Sequence, residues 1–530
     1  MSDVKRTGIS DEEVIAWVKR ELGEEMVLPV VSQETAASHT GRIATEQDAV
    51  GGFTHLDAQE ARGWQVDPEA AWRIHGRRVG IDPPPKVHIE TYGCQMNEHD
   101  TEIMYGILQR MGYVRAAGPE EADVLLFNTC AVRETAVEHA LGRIGQLKPL
   151  KYKNPDMIIG VCGCVPQVEG QTERLLRMFP YLDLIFGTHN IHKLPELVER
   201  ARNTRETVVD VWDSMGPEGI PEDLPVAREG DLKAWVTIMY GCDKKCTYCI
   251  VPQTRGRERS RLPEHILREV QELGRLGYKE VTLLGQNVNA YGKDLGFTDF
   301  AQLITLLDQN SPGIERIRFT TNHPKDFKPH MIEAIARAEK VCEWFHLPVQ
   351  SGSDAVLRRM RRSYNRRQYL DLVRRIRELI PHAVITTDII VGFPGETEED
   401  FRQTLDLVEE VGYDAAFMFM YSPRAGTEAA RYPDQLPQEV KKERLHRLME
   451  VQNRISLEKN RAMVGKVEEV LVEGFDKGKQ GILYGRTRGN KLVTFPGGAE
   501  LIRQLVPVRI VKANTWTLEG EALVPQVAGV

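Results

Sequence analysis

Long hydrophobic runs are absent from this sequence. No apolar stretch among its 530 residues approaches the roughly 20 residues that a bilayer-spanning helix needs. The N-terminal MSDVKRTGISDEEV also lacks the apolar segment of a secretory signal peptide. These absences predict a cytoplasmic protein that does not enter a membrane. The length is enough for about two to four domains with substantial cores.

An excess of positive charge is lacking as well. The chain has 69 Lys and Arg against 77 Asp and Glu, so no overall basic field attracts nucleic acid, and any such surface must be local. Cysteine is scarce, and eight cysteines in a reducing compartment do not predict a disulfide framework. Cys242, Cys246 and Cys249 form a crowded group, and Cys94, Cys130 and Cys164 form a dispersed one. Two groups of three indicate two metal sites. Cys162 and Cys342 belong to neither group.

The first half of the chain divides by composition. Residues 1–84 are polar and irregular after a helix start at Ser10, and they predict a partly flexible N-terminal extension. Residues 85–212 alternate strand and helix patterns, which predicts an α/β domain with a small doubly wound parallel sheet. Its predicted strands are KVHIETY (86–92), ADVLLFNT (122–129) and DMIIGVCG (156–163). The Pro-, Gly- and acid-rich residues 213–231 predict a linker.

The second half predicts a larger α/β domain and a small β domain. Residues 232–462 contain about six strand–helix units, which fit a partial TIM-like barrel with its chemistry at the carboxyl ends of the strands. The predicted strands are 234–240, 280–285, 314–321, 343–350, 383–393 and 415–421, and a charged helix covers 437–461. Residues 463–527 show short alternating strands with glycine turns and predict an all-β barrel.

Cys242, Cys246 and Cys249 lie in one loop after the first predicted barrel strand. Their spacing lets three thiolates surround one compact cluster, whereas a 4Fe–4S cluster usually has four cysteine ligands. Three ligands leave one iron without a thiolate, and an open coordination position distinguishes a reactive metal centre from a structural one. A zinc knuckle is the alternative, but no fourth Cys or His follows at finger spacing. The loop therefore predicts an open iron–sulfur site.

Cys94, Cys130 and Cys164 each follow the carboxyl end of a predicted strand. In an open parallel sheet these ends share one edge, so the three thiols are expected to converge there. Buried structural cysteines are the alternative, which fits loop positions poorly. Cys162 still belongs to the strand that precedes Cys164, so Cys164 is the preferred ligand. Cys342 lies in a stretch with a helical sequence pattern and is expected in the core.

The Cys-x-x-x-Cys-x-x-Cys run GCDKKCTYC resembles the radical S-adenosylmethionine superfamily. The resemblance implies that S-adenosylmethionine binds the open iron and is cleaved to a 5′-deoxyadenosyl radical. Polar and small residues at other strand ends are then candidate S-adenosylmethionine contacts, with simple tight turns as the alternative for the glycines. These candidates are Gly285, Gln286, Asn287, Gln350, Ser351 and Gly392. Gly-Gln-Asn departs from the Gly-Gly-Glu run that many superfamily members carry.

From about Lys86 to the C-terminus the chain resembles the methylthiotransferase family, and its last domain resembles the RNA-binding TRAM module. NTCAVRE and CTYCIVPQTRGRERSR resemble the MiaB-type tRNA branch, although Pro252-Gln253 stands where Pro-Tyr is expected. The family implies a second 4Fe–4S cluster, two S-adenosylmethionine molecules, and insertion of methylthio sulfur at C2 of N6-isopentenyladenosine, position 37 of tRNA.

The family also implies two further partners, a flavodoxin- or ferredoxin-like electron donor and a sulfur donor. Two alternative substrates remain, threonylcarbamoyl-adenosine of tRNA and a ribosomal protein. A non-catalytic iron–sulfur RNA-binding protein is a third reading, which the missing fourth ligand in both cysteine groups disfavours. The oligomeric state stays open, with a monomer among the alternatives.

Several basic residues are candidate RNA contacts, with a solvated basic run as the alternative. Four alternate after the crowded cysteines, namely Arg255, Arg257, Arg259 and Arg261. Five lie around Tyr484 in the last domain, namely Lys477, Lys479, Arg486, Arg488 and Lys491. The arginines between 358 and 367 are interpreted as surface charge. Glu98, Asp100, His323 and Asp388 are candidate acids or bases that the sequence does not separate from helix caps and ion pairs.

Overall fold

The computed structural model describes residues 84–132, 134–211 and 222–523. The predicted N-terminal extension, with its helix after Ser10, lies outside the described residues except for Pro84, as does the first part of the predicted linker. Within the described ranges, no helix combines the length and apolar character needed to cross a bilayer.

The first domain is a doubly wound sheet, as predicted. All its neighbouring strands are parallel, in the order β2-β1-β3-β4-β5-β6. The strands are β1 (Lys86–Tyr92), β2 (Val114–Arg115), β3 (Val124–Thr129), β4 (Ile158–Gly163), β5 (Leu184–Phe186) and β6 (Val208–Asp210). The helices are α1 (Gln95–Arg110), α2 (Glu134–Gln146), α3 (Lys148–Lys153), α4 (Gln171–Met178) and α5 (Leu194–Thr204). Strand order reverses between β1 and β3, where such sheets open a crevice at the carboxyl edge.

Both faces of this sheet are covered, which explains why its central strands read as continuous apolar runs. Successive side chains of β3 point to opposite faces. Leu126 joins a core formed with α1 and α5, and Phe127 joins a core formed with α2 and α4. The carboxyl ends of β1, β3 and β4 are thereby held side by side.

The second domain is an open six-stranded parallel barrel, also as predicted. Its strands run β7-β10-β11 and β12-β13-β14, and a bridge between Ile317 and Val341 joins the two halves. They are β7 (Lys233–Thr237), β10 (Glu280–Leu284), β11 (Arg316–Phe319), β12 (Trp344–His346), β13 (Val384–Val391) and β14 (Ala415–Met420). The predicted first strand is broken after Thr237, and β8 (Met239–Tyr240) instead pairs antiparallel with β9 (Arg259–Ser260). This short ribbon closes the base of the loop that carries the crowded cysteines.

Within the described residues, the second domain contains eight α-helices, the first of which lies in the loop after Cys249. They are α6 (Val251–Thr254), α7 (Pro263–Arg275), α8 (Phe300–Asn310), α9 (Pro329–Arg337), α10 (Asp354–Arg359), α11 (Arg366–Leu379), α12 (Glu398–Val411) and α13 (Gln438–Arg461). Cys342 is buried as expected, but it lies beyond the end of α9 rather than in a helix.

The last domain is a closed five-stranded barrel in the order β15-β16-β17-β19-β18. Its strands are β15 (Val467–Phe475), β16 (Ile482–Thr487), β17 (Leu492–Pro496), β18 (Leu505–Ala513) and β19 (Thr517–Ala522). Buried Arg316 of β11 donates to the Arg486 carbonyl at 2.7 Å and the Glu469 carbonyl at 2.8 Å. Arg318 donates to the Thr487 carbonyl at 2.8 Å. Guanidinium groups of the large barrel therefore satisfy backbone acceptors of the small one and hold it in place.

The described end of the predicted linker is packed rather than free. The Ala227 amide donates to the Glu102 carbonyl on α1 at 2.9 Å. Arg228 forms ion pairs with Glu102, at 3.5 Å, and with Glu269 on α7. This segment therefore ties the first domain to the second.

Candidate active site

The dispersed cysteines meet at the carboxyl edge of the first sheet. Cys94 lies between β1 and α1, Cys130 follows β3, and Cys164 follows β4. The three cysteines therefore lie just beyond the carboxyl ends of neighbouring strands. The thiols of Cys94 and Cys164 are both close enough to raise the pKa of the Cys130 thiol. Convergence of loops that are distant in sequence thus follows directly from the strand order.

Asn97 fixes the position of Cys94 relative to β3. Its side-chain oxygen accepts from the Cys94 thiol at 3.3 Å. Its amide donates to the Asn128 side chain at 2.9 Å and to the Thr129 carbonyl at 3.2 Å. One buried amide therefore connects Cys94 to β3, the strand that Cys130 follows.

Cys162 points away from this group. Its thiol lies 3.7 Å from the Met104 sulfur, in the core beneath α1, whereas Cys164 belongs to the core on the other face. Burial raises the pKa of Cys162 well above its usual range. By contrast, contact with Cys130 and the charge of Arg255 both lower the pKa of Cys94 and Cys164. The geometry therefore favours Cys164 over Cys162.

The crowded cysteines lie in a loop with a tightly bound backbone. The Cys242 amide donates to the Gly256 carbonyl at 2.9 Å. Gly241 has φ +72°, and a Cβ there would overlap the Arg257 carbonyl group. Burial raises the pKa of Cys242 to about 12 and that of Cys249 to about 11, because their environment disfavours an uncompensated thiolate.

Each cysteine set has a buried guanidinium beside it. Arg362 Nη1 lies 3.4 Å from Cys246 Sγ. Arg255 forms a 2.6 Å ion pair with Asp100, and its charge lowers the pKa of Cys94 and Cys164. A fixed cation in low dielectric favours thiolate over thiol and offsets the negative charge of an iron–thiolate group.

The residues at both sites fit iron–sulfur clusters. Each site offers three sulfur donors and an adjacent cation. That donor set matches a cluster held by three cysteines, with one iron left for another ligand.

Two predicted S-adenosylmethionine contacts lie against the crowded cysteine loop. The Gln286 side chain accepts from the Gly241 amide. Asn287 donates to Asp326 at 2.7 Å, and Lys244 of the cysteine loop pairs with the same carboxylate at 2.6 Å. Gln286 and Asn287 therefore shape the surroundings of the cysteines, and their direct contact with S-adenosylmethionine stays a prediction.

The other predicted contacts are mostly taken up by packing. The Ser351 hydroxyl lies 3.3 Å from the Thr404 hydroxyl of α12, and the space beside Gly392 is filled by Lys441 of α13. Both positions therefore serve helix packing, and their contact with S-adenosylmethionine stays a prediction. A Cβ on Gly285 would lie 2.6 Å from Met239 Cγ, which is also a close-packing role. Gln350, buried at φ +70°, remains a candidate.

Family comparisons fit this geometry. The chain matches models described as Uncharacterized protein family UPF0004 over residues 86–187, Radical SAM superfamily over 236–408 and TRAM domain over 461–523. A relative from Symbiobacterium thermophilum named tRNA-2-methylthio-N(6)-dimethylallyladenosine synthase is 75% identical over 463 residues, covering 86% of this chain and 97% of the relative.

Two further relatives carry the same name. The one from Pelotomaculum thermopropionicum is 53% identical and covers 82% of this chain and 97% of its own length. The one from Bacillus cytotoxicus is 54% identical, with 92% and 98% covered. The chain belongs to the tRNA-2-methylthio-N(6)-dimethylallyladenosine synthase family. The resemblance to methylthiotransferases and the prediction of a radical S-adenosylmethionine enzyme are thereby confirmed.

Most of the arginines predicted to bind RNA have another role in this synthase family member. Arg255 is buried against Asp100. Arg261 is buried against Glu269 at 2.7 Å, in the network that includes the linker. Arg259 lies 5.4 Å over the Tyr240 ring. Arg255 thus joins two domains and Arg261 pairs within the radical barrel, and RNA contact by either residue stays a prediction. Of the four arginines, only Arg257 is largely exposed, at 82% of its side chain.

Some of the basic residues of the TRAM domain also form ion pairs with the radical barrel, and another is half exposed. Arg488 pairs with Glu343 of the radical barrel at 2.7 Å, and Lys491 pairs with Asp414 at 3.1 Å. These two hold the TRAM domain on the barrel, and their role as RNA contacts stays a prediction. Arg486 is half exposed, although it also lies 3.6 Å from Glu473, and it stays a candidate.

Two of the proposed acids and bases have charged or ionisable partners. Asp100 pairs with Arg255, and Asp388 lies 3.4 Å from His346. The pKa of His323 is lowered to about 2, chiefly by burial and further by the charges of Arg362 and Lys244. His323 is therefore a neutral imidazole at physiological pH. Glu98 is exposed, and burial of part of its carboxyl raises its pKa.

Sequence reasoning missed Arg362 and Asn97, which approach cysteines in this family member most closely. Arg362 was interpreted as surface charge because it lies in a run of arginines, but it is buried. Arg361, with φ +54°, turns the chain at this point, and no periodicity reveals such a turn. Asn97 lies three residues after Cys94, a capping distance that could have marked it as a local partner of the thiol.

Proposed function

We propose that this enzyme is a tRNA methylthiotransferase that acts on N6-isopentenyladenosine at position 37, beside the anticodon. The product is the 2-methylthio derivative at C2 of that adenine. The observation that carries the proposal is a pair of three-cysteine sets, each lacking a fourth thiolate and each belonging to one of two tightly joined domains. The domains we propose are residues 85–212 for sulfur insertion, 232–462 for radical formation and 463–527 for RNA binding.

Several contacts support the view that both sets border one interface. Arg255, six residues after Cys249, reaches Asp100 in the first domain. The Thr188 hydroxyl donates to the Thr254 carbonyl at 2.6 Å. These links anchor the loop after the crowded cysteines to the domain that holds the dispersed ones. Rigid connection of two reactive centres is what a reaction that uses both requires.

In this proposal Cys94, Cys130 and Cys164 hold one 4Fe–4S cluster, and Cys242, Cys246 and Cys249 hold the other. When bound, the clusters and two S-adenosylmethionine molecules would supply the radical and the methyl group, and the cluster of the first domain would carry the sulfur that a separate donor provides. The chain binds and orients these groups through its thiols. Arg255 and Arg362 place fixed positive charge beside them. His323 lies near Arg362 and Lys244. Because its imidazole is neutral, it can accept or donate a hydrogen bond there without adding charge.

The anticodon loop is a suitable target because its bases are single stranded and can be turned out at modest cost. We propose that the TRAM domain binds the surrounding RNA, with Arg257 and Arg486 as contacts to phosphates. A flavodoxin- or ferredoxin-like protein would supply electrons, and a separate donor would supply sulfur. The proposed location is the cytoplasm.

Nucleoside mass spectrometry of tRNA tests the substrate. Cells with the gene deleted should lose 2-methylthio-N6-isopentenyladenosine and accumulate N6-isopentenyladenosine, and the intact gene should restore the product. Persistence of the methylthio nucleoside in the deletion strain, with no second enzyme present, would contradict the proposal. Loss of methylthio-threonylcarbamoyl-adenosine, or of a modified ribosomal protein, would favour an alternative substrate.

Iron analysis tests the clusters. Replacing Cys94, Cys130 and Cys164 together by Ala should remove about half of the iron of the anaerobically reconstituted protein, as should replacing Cys242, Cys246 and Cys249. Cys162→Ala is the matched control, since it changes a neighbouring buried thiol outside both sets. Full iron content after loss of the dispersed set would refute the second cluster.

A further inference from the structure

Strand β14 presents two exposed aromatic rings to the interior of the radical barrel. Phe417 is 53% and Phe419 36% exposed. Of the alternate residues, Ala416 belongs to the core that includes side chains of the outer helices, and Met418 and Met420 pack against that core. Because neighbouring side chains of a strand face opposite ways, both phenylalanines point inward. The 5.8 Å separation of the Phe417 and His346 rings agrees with this orientation.

A polar pair borders this aromatic surface. Asp388 is directly opposite Phe417 in the register of β13 and β14. Its carboxylate lies 3.4 Å from His346 Nε2, and His346 Nδ1 lies 3.1 Å from the Thr386 hydroxyl. Trp344 stacks at 6.3 Å on the His346 ring. Rings beside a hydrogen-bonding pair are the combination that holds an unstacked base by its face and its edge.

The loop after β14 leads from these rings to both cysteine sets. We name residues 422–429 the bridging loop. Ser422 hydrogen bonds to Glu134, four residues after Cys130. At the other end, the Ala429 amide donates to the Thr247 carbonyl, within the crowded cysteine loop, at 2.8 Å. The bridging loop therefore spans the gap between the two sets.

Arg424 lies in the middle of the bridging loop. Its side chain is half-buried, and it forms no ion pair or side-chain hydrogen bond with any residue in the described ranges. Burial lowers the pKa of Arg424, and Glu134, Cys130 and Cys249 are close enough to oppose that effect. A guanidinium held at such a place, with its donors unused, is suited to a phosphate.

We propose that Phe417, Phe419 and Arg424 form the subsite for the target nucleotide of the RNA. The two rings contact the adenine and its apolar N6-isopentenyl group, and Arg424 binds a phosphate next to that nucleotide. This subsite rests on the proposed function, because it takes prenylated tRNA as its occupant. A bare RNA base would use only the stacking surface, whereas the five-carbon group also covers exposed apolar area that otherwise contacts water.

Binding measurements on the full-length reconstituted enzyme test the subsite. Two anticodon stem-loop RNAs would differ only in the N6-isopentenyl group, and their dissociation constants would be compared by fluorescence anisotropy. Phe417→Ala and Phe419→Ala should each weaken binding of the prenylated RNA about tenfold and bring the ratio of the two constants towards one. Tyr152→Ala is the control, because this exposed ring belongs to α3, at the amino-terminal edge of the first sheet.

Arg424 should give a different signature. Arg424→Met should weaken both RNAs equally and reduce the salt dependence of binding by about one phosphate contact, and Arg424→Lys should restore most of that dependence. Circular dichroism and iron content should match the parent protein for every variant, since the altered side chains are exposed or half-exposed.

Two results would overturn the inference. One is an unchanged preference for prenylated RNA in both phenylalanine variants, and the other is an unchanged salt dependence in Arg424→Met. Failure of the proposed function itself would look different, because the parent enzyme would then bind the two RNAs equally or prefer a ribosomal protein.

Discussion

The ion pair between Asp100 and Arg255 provides a quantitative test of how the first two domains are joined. The two groups lie 2.6 Å apart, and their side chains are only 4% and 5% exposed. Replacing Arg255 by Met would leave a buried carboxylate without its cation. Removal of one partner of a buried pair costs about 3–5 kcal/mol, because the desolvated charge that remains is uncompensated.

The double variant should separate this effect from simple loss of packing. Asp100→Leu combined with Arg255→Met replaces both charges by apolar groups, which is often nearly neutral for a buried pair. We therefore expect it to be less destabilised than Arg255→Met alone, with a coupling energy of about 2 kcal/mol or more between the two sites. Arg257→Met, in the same loop but 82% exposed, should change stability by less than about 0.5 kcal/mol.

Urea unfolding of the iron-free protein measures these differences without a contribution from metal. Trp235, one of seven tryptophans, packs with Met96 and Cys94 at the domain interface, so part of the fluorescence change comes from this region. A loss below about 1 kcal/mol in Arg255→Met, or strict additivity of the two substitutions, would refute the reasoning. The interface would then owe its stability to apolar contacts and not to the pair.

Three other outcomes follow from local geometry. Gly241→Ala should lose about half of the reconstituted iron, because its Cβ would overlap the Arg257 carbonyl group; full iron would contradict this. Burial and neighbouring arginines lower the pKa of His189 to about 4, so the unfolded chain binds a proton between pH 6.5 and 4 that the folded chain does not. Stability should fall over that range by up to about 3 kcal/mol, and His189→Gln should reduce the slope; equal slopes in urea titrations would refute it. Arg318→Met removes a donor to the Thr487 carbonyl and should expose the last barrel to limited proteolysis, whereas an unchanged digestion pattern would show that the contact is dispensable.

Much of the fold was predictable because burial leaves a strong mark on sequence. The strand predicted at 122–129 is β3, whose six residues are all buried, and such a continuous apolar run is expected only when both faces of a sheet are covered. Once the parallel order was inferred, the convergence of Cys94, Cys130 and Cys164 followed from topology. The site of the crowded cysteines could be predicted without any knowledge of the fold, because their spacing is local in the sequence.

The arginines show where sequence reasoning fails. Alternation from Arg255 to Arg261 predicted one basic face, but alternation has that meaning only in an extended chain. The segment instead leaves α6 at Arg255, turns at Gly256 with φ +77°, and becomes a strand only at Arg259. Each guanidinium consequently points in its own direction. Tertiary partners such as Asp100, 155 residues away in sequence, leave no local signal.

The contrast between the two cysteine sets has a consequence for biogenesis. Cys242 and Cys249 are seven positions apart, whereas Cys94 and Cys164 are separated by 70 and meet only when β1, β3 and β4 are paired. Closing the longer loops costs more chain entropy, and that cost is met only by the long-range contacts of a formed sheet. In the proposed assignment, the crowded thiols can therefore surround a cluster with little of the fold in place. The dispersed thiols can do so only after their domain has folded, so occupancy of that proposed cluster would be a record of successful folding.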